Sequence, residues 1–391
     1  MRDVFIVDAV RTPFGSFNGA LAEEPAPRLA AGVIRTLLAR TRVPGEAVGE
    51  VIAGQILSGG NRQGPAPRIA WRAGIPDSVP AMSINKLCGS GLKAIMLAAG
   101  SIRLGDVELA VAGGMENMSL APYLLTRARQ GYRMGHGELL DSLLHDGLLD
   151  AYDGRHMGEM ADLAAVRHGI GRAQQDEFAV RSYRLAQRAV AEGIFDPEIA
   201  PVTRTRKGAD EVVARDEEPF RVDLEKLPKL RPAFGKEGTV TAGNASTIND
   251  GAAFALLASE RAVKAHGLAP RARLVSYATN SMKPELFTDA PAEAVRRACA
   301  AAGLPLSAID LFEVNEAFAV VALIAARALD LPLEKLNPNG GAVALGHPVG
   351  ASGGRLVATL VRELHQRKLR YGVATLCIGG GEAVAAVLER V

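Results

Sequence analysis

The sequence predicts an α/β fold built from two similar halves, with a separate segment inserted into the first half. Strand-like apolar runs alternate with helix-like segments near both ends of the chain, which is the pattern of an α/β architecture. Between them, from residue 115 to about residue 245, the chain is richer in charge, histidine and methionine. Its 391 residues exceed one typical domain, so two or three structural units are expected.

The predicted elements of the first half follow this alternation. Apolar runs predict strands at residues 4–10, 51–57, 80–87 and 109–114, and helical spacing predicts helices at residues 28–40 and 91–102. The strand at 109–114 is apolar throughout, as expected of a strand buried on both faces of a sheet. The strand at 80–87 leads directly to Cys88.

The inserted segment and the second half complete the predicted organisation. Helical spacing covers residues 172–192, and the charge run at 204–211 is interpreted as an exposed loop with no partner. The α/β pattern resumes near Arg271 and repeats the first half, since a predicted strand precedes His347 as another precedes Cys88. The predicted domains are residues 1–118 with 246–270 for the N-terminal half, 119–245 for the loop domain and 271–391 for the C-terminal half.

Composition and charge argue against several functions. Lys plus Arg number 45 and Asp plus Glu 43, a net charge of +2 without a long basic stripe, so nucleic acid is not an expected partner. Three cysteines without short spacing favour a reducing compartment. The sequence suggests no signal peptide, no peroxisomal address and no apolar run of the ~18 residues that a membrane span needs. A soluble cytoplasmic protein without a membrane partner is expected.

Cys88 is the first candidate for chemistry. It stands before Gly89, Ser90 and Gly91, where a predicted strand turns into a helix. The unpaired N–H groups and positive dipole at a helix start favour a thiolate, and small neighbours let a substrate approach the sulfur. Because a free cysteine is also commonly a small buried hydrophobe, Cys88 alone does not decide between these interpretations.

His347 is the best candidate for a base among seven histidines. It lies in a glycine-rich stretch rather than an apolar one, and a cysteine nucleophile needs such a base. Cys299 lies in an alanine-rich amphipathic stretch and is assigned to packing. No metal site is expected, because four further histidines show no ligand spacing with the cysteines: His145, His156, His168 and His266.

Four motifs spread over the chain resemble those of the thiolase family. They are the nucleophile segment around Cys88, the Asn-Glu-Ala-Phe segment 315–318, the Gly-His-Pro segment 346–348 and the Cys-Ile-Gly-Gly-Gly segment 377–381. The resemblance implies the thiolase fold, in which two similar α/β halves form αβαβα layers. It also implies a loop domain that covers the active site and binds coenzyme A, and a homotetramer.

The same resemblance implies a two-step acyl transfer between coenzyme A thioesters. Cys88 is acylated while His347 takes its proton, and Cys377 then removes an α-proton from a second acetyl-CoA, whose enolate attacks the acyl-enzyme. One oxyanion hole is implied at His347 with a water held by Asn315, and another at the backbone N–H groups of Cys88 and Gly379. Acetyl-CoA, acetoacetyl-CoA and other acyl-CoA are the implied substrates, with no cofactor.

Coenzyme A contacts are implied where further short segments match the family. The Thr-Ala-Gly-Asn-Ala-Ser segment 241–246 places a serine at the pantetheine, and segments 230–234, 156–158 and 315–318 line the pocket. Arg221 lies where the family has an arginine near the adenine and phosphate end of coenzyme A, but the residues around it match the family only loosely. The alternative interpretation is that Arg221 is an ordinary charged residue of a loop. The implied contact residues are Ser246, His156, Met157, Phe234, Phe318 and Arg221.

Within the family, the Cys-Gly-Ser-Gly segment at Cys88 is similar to the acetyl-CoA acetyltransferase branch. That branch condenses two acetyl-CoA to acetoacetyl-CoA and coenzyme A, and it catalyses the reverse thiolysis. Where it usually has a Met-Gly-x-Gly-Pro turn, this sequence has Phe287 followed by Thr-Asp-Ala-Pro. Phe287 is expected to reshape the acyl pocket and to favour short chains, from C4 to about C6.

Three alternatives stay open at this point. A ketosynthase-type condensing enzyme shares the fold and a cysteine nucleophile, but it completes its site without a second cysteine such as Cys377. A broader 3-ketoacyl-CoA thiolase of fatty-acid degradation differs only in chain length. A catalytically silent acyl-CoA or lipid-binding protein would use the same scaffold without its chemistry. The physiological direction and any monovalent-ion dependence are also left open.

Overall fold

The computed structural model describes residues 2–206 and 208–391. The helices are α1 (Ala26–Thr41), α2 (Pro65–Arg72), α3 (Ser90–Leu104), α4 (Met157–His168), α5 (Arg172–Ala191), α6 (Glu260–Ala265), α7 (Ala290–Ala302), α8 (Ala319–Ala328), α9 (Ala342–Leu345) and α10 (Ser352–Gln366). The strands are β1 (Val4–Arg11), β2 (Gly15–Ser16), β3 (Glu50–Gly54), β4 (Ala81–Ile84), β5 (Leu109–Asn117), β6 (Tyr123–Leu124), β7 (Leu140–Asp141), β8 (Val202–Arg206), β9 (Ala209–Val213), β10 (Asn249–Ser259), β11 (Ala272–Ser281), β12 (Leu311–Val314), β13 (Tyr371–Ile378) and β14 (Glu382–Arg390).

The main sheet repeats one topology twice. Its strand order is β12-β13-β14-β11-β1-β10-β5-β3-β4, and β2 pairs with β10. In the first half the β3 and β5 pair is parallel, while the β5–β10 and β10–β1 pairs are antiparallel. In the second half β12 and β13 are parallel, while β13–β14 and β14–β11 are antiparallel. This repetition agrees with the two similar halves predicted from the sequence.

Five layers follow from how the helices pack. Helices α3 and α10 share one apolar cluster with strands of both halves, so they form the central layer. Helices α1 and α2 cover the outer face of the first half, and α7 and α8 cover that of the second. Burial of these apolar faces is the main driving force that joins the layers. The observed αβαβα arrangement is the predicted one.

The inserted segment leaves and rejoins the sheet at neighbouring strands. β5 and β10 pair continuously from Leu109↔Ala258 to Asp250↔Asn117. A buried Arg11 at the end of β1 connects the segment to the core, because its guanidinium meets Glu198 Oε1 at 2.5 Å and Asp216 Oδ1 at 2.7 Å. Such a buried cation is tolerated only where carboxylates pair with it. The domain boundaries themselves stay a prediction.

Two predicted strands end earlier than their apolar runs. β3 stops at Gly54 and β4 at Ile84, whereas the runs extend to residues 57 and 87. Beyond β3, the N–H groups of Ile56 and Leu57 donate to the Glu116 carboxylate instead of to a strand. Beyond β4, Leu87 adopts a left-handed backbone with φ of 47°. Both departures form the turns on which the candidate site is built.

The interpretation of residues 204–211 as a loop is wrong, whereas the predicted exposure is confirmed, because residues 205, 206 and 208–211 are exposed. β8 and β9 form an antiparallel hairpin in which Arg204 lies opposite Glu211, with Nη2 and Oε2 2.8 Å apart. Arg204 also donates to the carbonyl of Ala20. Opposite charges directly across a strand pair stabilise the pairing, and the register that places them opposite each other depends on the turn between the two strands. Lys207 of this run lies outside the described residues.

The expectation that no apolar run reaches the length of a membrane span is also wrong. The window Leu87–Leu104 is long and apolar enough by length and composition. In the fold, 56% of that window is buried inside the protein, and α3 packs against strands of both halves. A helix covered on several sides needs apolar residues around most of its circumference, which gives it the composition of a span.

Candidate active site

Loops from both halves and the inserted segment surround a cavity of about 660 Å³. It is predominantly apolar, as binding cavities for small molecules usually are. Asn315 lies behind the wall next to His347, and Arg221 is exposed and does not line the cavity. The structure therefore brings nine of the predicted site residues to one cavity: Cys88, His156, Met157, Phe234, Ser246, Phe318, His347, Cys377 and Gly379.

A tight turn carries Cys88 to the wall of this cavity. Leu87 has the left-handed backbone, which is uncommon for a branched residue and is found where surrounding contacts enforce it. Here its N–H donates to Asn85 Oδ1 at 2.9 Å, and its carbonyl accepts from Ser90 Oγ at 2.7 Å. Gly89 is required because a Cβ there would lie 2.3 Å from Ile378 Cδ1. The turn holds the Cys88 side chain in one position.

The thiol of Cys88 is neutral at physiological pH, contrary to the expectation from its place before a helix. Burial raises its pKa to about 11. The backbone N–H groups of Cys88 and Gly379 lower the pKa by a smaller amount, and the Glu116 carboxylate raises it. Desolvation thus outweighs the helix terminus. The nucleophile must be deprotonated during the reaction rather than before it.

His347 is held as a neutral base. Burial lowers its pKa to about 3, and the charge of Arg355 adds to this shift. Its Nδ1 lies 2.5 Å from Ser352 Oγ, whose hydroxyl donates to the carbonyl of Pro348 at 3.1 Å. We assign the proton to Nδ1 from this network, because the serine oxygen is then the acceptor. Nε2 is then the unprotonated ring nitrogen, and its lone pair accepts from Asn315 Nδ2 at 3.4 Å.

Ser352 is a functional residue that the sequence reasoning missed. It lies five residues after His347 at the start of α10, in the glycine-rich stretch that was noted only for its glycines. A hydroxyl that accepts from one ring nitrogen determines which tautomer the imidazole adopts. In the sequence, this role is indicated only by a hydroxyl residue close to His347. Whether that hydroxyl reaches the imidazole depends on the turn between Pro348 and α10.

Two buried glutamates connect the loops of the site. Glu116, at the end of β5, accepts N–H groups from Ile56 at 3.0 Å and from Gly350 at 3.1 Å, and burial raises its pKa to about 7. Glu316, next to Asn315, accepts from Ser182 Oγ at 2.6 Å, and burial raises its pKa as well. These carboxylates replace strand pairing where the loops leave the sheet. Neither was assigned a role from the sequence.

Cys377 lies near the end of β13 and is 2% exposed. Burial raises the pKa of its thiol, and the neighbouring Cys88 raises it further. Gly379 follows, and its backbone N–H group lowers the pKa of the Cys88 thiol. A Cβ on Gly381 would lie 2.5 Å from the carbonyl of Lys283, so this turn requires glycine. Both cysteines therefore belong to one site and both are neutral thiols at rest.

Aromatic rings form the wall on the side of Cys377. His156 and Phe234 are stacked with centroids 4.6 Å apart, and Phe318 meets Phe234 edge-on at 6.3 Å. Phe287 meets Phe318 edge-on at 6.4 Å and is 2% exposed. Edge-to-face pairs of this kind favour fixed ring positions. Cys299 lies elsewhere, buried in the apolar cluster under α7, in agreement with its assignment to packing.

The raised pKa of Cys88 predicts a steep pH dependence of its alkylation. Because the pKa is about 11, the thiolate fraction should rise about tenfold per pH unit from roughly pH 6 to 9. We expect the rate constant of iodoacetamide labelling at Cys88, followed by peptide mass spectrometry, to have that slope throughout. A plateau below about pH 8 would instead indicate a preformed thiolate, and the role assigned to desolvation would be incorrect.

Within residues 2–206 and 208–391, no group of three or more His, Cys, Asp or Glu side chains is arranged to hold a metal ion. The groups that the fold brings together at the cavity include the thiols of Cys88 and Cys377 and the imidazole of His347, with the Asn315 amide beside it. Those groups can transfer protons, form a thioester with a cysteine and stabilise negative charge on a carbonyl oxygen.

Comparison with known proteins covers nearly the whole chain. Two family models match, "Thiolase, N-terminal domain" over residues 4–261 and "Thiolase, C-terminal domain" over residues 268–390. The acetyl-CoA acetyltransferase of Pseudomonas aeruginosa is 50% identical, and that of Cupriavidus necator is 48% identical, each with 100% of both chains covered. A probable acetyl-CoA acyltransferase of Staphylococcus aureus is 45% identical with the same coverage.

A solved structure is similar over the same extent. The crystal structure of the Bacillus anthracis acetyl-CoA acetyltransferase matches with a TM-score of 0.98 at 42% sequence identity. The match covers 100% of this chain and 99% of that one. Both halves and the inserted segment are included in this similarity.

Proposed function

The chain belongs to the thiolase family, and we propose that it is an acetyl-CoA acetyltransferase. It condenses two acetyl-CoA to acetoacetyl-CoA and coenzyme A, and it catalyses the reverse thiolysis. The observation that carries this proposal is the convergence of Cys88, His347 and Cys377 on one apolar cavity, with Asn315 beside His347. A silent binding protein would have no need for two neutral thiols and an oriented imidazole at one place.

In the first step, Cys88 attacks the thioester carbonyl of acetyl-CoA. His347 Nε2 takes the thiol proton as the carbon–sulfur bond forms, because it is the unprotonated nitrogen of the ring. The carbonyl oxygen becomes negative and is stabilised by the backbone N–H groups of Cys88 and Gly379, both of which lower the pKa of the Cys88 thiol in the resting protein. The coenzyme A thiolate leaves and takes a proton from Cys377, whose thiol is neutral because it is buried.

In the second step, the proton balance is restored. The Cys377 thiolate removes an α-proton from the second acetyl-CoA, and the enolate oxygen forms beside the protonated His347 and Asn315. The enolate carbon attacks the acetyl group on Cys88, the bond to that sulfur breaks, and the sulfur recovers its proton from His347. These groups supply every proton transfer and charge stabilisation, so the proposal needs no cofactor other than the thioester substrates.

The decisive test is thiolysis of acetoacetyl-CoA by purified protein dialysed against a chelator. We expect loss of the acetoacetyl-CoA enolate absorbance with formation of two acetyl-CoA per acetoacetyl-CoA consumed. Absence of turnover would support the silent binding protein. Decarboxylation of malonyl thioesters without thiolysis would support the ketosynthase-type alternative, which the second cysteine, Cys377, disfavours.

Chain-length preference follows from the aromatic wall. Phe287 and Phe318 line the cavity that Cys377 also lines, so acyl carbons beyond the reacting ones meet buried rings. We expect kcat/KM in thiolysis to be highest for 3-ketoacyl-CoA from C4 to about C6, and to fall about tenfold or more by C10. Equal kcat/KM for C10 and C4 substrates would favour the broader 3-ketoacyl-CoA thiolase.

We also propose that the protein is a homotetramer in the cytoplasm. Between residues 120 and 152, nine large apolar or aromatic side chains are exposed, among them Met134 and Tyr152, and such patches are typical of interfaces. A second surface lies at β4, which ends the sheet and carries the exposed Met82. Two separate self-complementary surfaces would build a tetramer, which sedimentation equilibrium would measure.

The three free cysteines of the chain suit a reducing compartment such as the cytoplasm, and cell fractionation would test this location.

A further inference from the structure

The turn that carries Phe287 is attached to the inserted segment by polar contacts at its far side. Asp289 Oδ1 lies 2.7 Å from His168 Nε2, and Asp289 Oδ2 accepts from Arg167 Nη1 at 3.4 Å. Arg167 Nη2 also donates to the carbonyl of Glu285 at 3.2 Å, in the same turn. His168 and Arg167 form the end of α4. These contacts, called the Asp289 clamp below, join two segments that are far apart in sequence.

Asp289 makes these contacts in place of its local one. It occupies the N-cap position of α7, where an aspartate normally accepts an N–H from the first turn, yet it makes no such bond. Its carboxylate instead points toward α4, and Thr288 Oγ1 donates to it at 2.9 Å. Both side chains belong to the last turn of α4, where the helix dipole also favours the positive charge of Arg167.

The clamp lies between two walls of the cavity. One wall includes Met157, which is the first residue of α4. The other includes Phe287, which lies two residues before Asp289. Phe287 also packs in one apolar cluster with Met160 of α4 and with Phe318. Holding the end of α4 against the turn therefore keeps the Phe287 ring in contact with Phe318.

We propose that the Asp289 clamp is a positioning device that sets the acyl-chain range of the enzyme. This inference rests on the proposed thiolase function and deepens it. With the clamp intact, the Phe287 ring closes the acyl end of the cavity and excludes longer chains. Without it, the turn can move away from α4, and the ring leaves room for additional methylenes. Asp289, His168 and Arg167 act through Phe287 and do not touch the reacting atoms.

The test compares chain-length ratios rather than overall activity. For Asp289→Ala, the ratio of kcat/KM for a C8 3-ketoacyl-CoA to that for acetoacetyl-CoA should rise about threefold to tenfold over wild type, because the contacts are partly exposed and individually modest. The matched control is Glu293→Gln, one turn later on α7, where Glu293 Oε1 pairs with Arg297 at 2.9 Å within the helix. The control ratio should stay within about twofold of wild type.

Two further variants separate positioning from a general loss of structure. His168→Ala removes the donor to Asp289 from the α4 side and should give a similar rise in the ratio, even if Asp289→Ala is poorly folded. In a Phe287→Leu background, Asp289→Ala should change the ratio no further, since the ring through which the clamp acts has been removed. An additive change in that background, or an unchanged ratio in both single variants, would overturn the proposal.

The failure of this inference is distinguishable from the failure of the proposed function. A wild-type protein that does not cleave acetoacetyl-CoA would refute the thiolase activity and the clamp together. A wild-type protein that cleaves it, with clamp variants whose ratio matches that of Glu293→Gln, would refute the clamp alone.

Discussion

Replacing Cys88 with alanine should abolish both condensation and thiolysis. No other thiol is placed to form the acyl-enzyme, because Cys377 is buried beside the aromatic wall and Cys299 lies in a different cluster. Loss of a nucleophile that acts together with its base typically costs about 10⁴-fold or more in kcat. The measurement is steady-state turnover in both directions, with circular dichroism to verify folding.

The matched control is Cys299→Ala, which removes a buried thiol outside the cavity and should leave turnover close to wild type. Mass spectrometry after acetyl-CoA treatment should find one acetyl group on the wild-type enzyme, located on Cys88, and none on the Cys88→Ala variant. An acetyl group found on Cys299 would show that the nucleophile has been assigned to the wrong cysteine.

Replacing Cys377 with serine should separate the two steps of the reaction. Acylation of Cys88 should be affected much less than condensation, since His347 still takes the proton of the attacking thiol and the oxyanion donors are backbone N–H groups. The proton that Cys377 gives to the departing coenzyme A thiolate can be supplied by solvent instead. Condensation should fall by about 10²- to 10⁴-fold, because a serine hydroxyl is far too weakly acidic to exchange an α-proton near neutral pH. The observable is an acetyl-enzyme that accumulates with acetyl-CoA while almost no acetoacetyl-CoA forms.

The opposite result has a clear meaning. If Cys377→Ser condenses at nearly the wild-type rate but fails to become acetylated, the roles given to Cys88 and Cys377 must be exchanged. A double variant, Cys88→Ala with Cys377→Ser, provides the background for both assays, because it should show neither labelling nor condensation.

Elements with a strong periodic pattern were predicted well. The helices at 28–40 and 91–102 correspond to α1 and α3, and the fully apolar run at 109–114 is the core of β5. In each, the apolar spacing records directly which face is buried. Strand ends were less predictable, because β3 stops where Glu116, 60 residues away from Ile56, captures the next N–H groups.

The sequence by itself determined the family and the reaction class, and it predicted the identity of the reacting side chains. The nucleophile, the base and the glycines around them lie in short contiguous motifs, and such motifs are readable without a fold. Tertiary structure decided the protonation states. The helix start was expected to favour the thiolate of Cys88, but desolvation has the larger effect and raises the pKa of the thiol, while the N–H groups of Cys88 and Gly379 lower it by less.

Only the fold also revealed the partners that act through space. Ser352 orients His347 through a turn, and Asp289 meets His168 across 121 positions of sequence. Such a contact cannot be predicted from the local sequence, because the residues next to either partner in the chain do not indicate which distant residue it will contact. Residue type and spacing therefore determined what chemistry this chain can perform. Packing determined the protonation states and orientations of the reacting groups and the space available to the substrate.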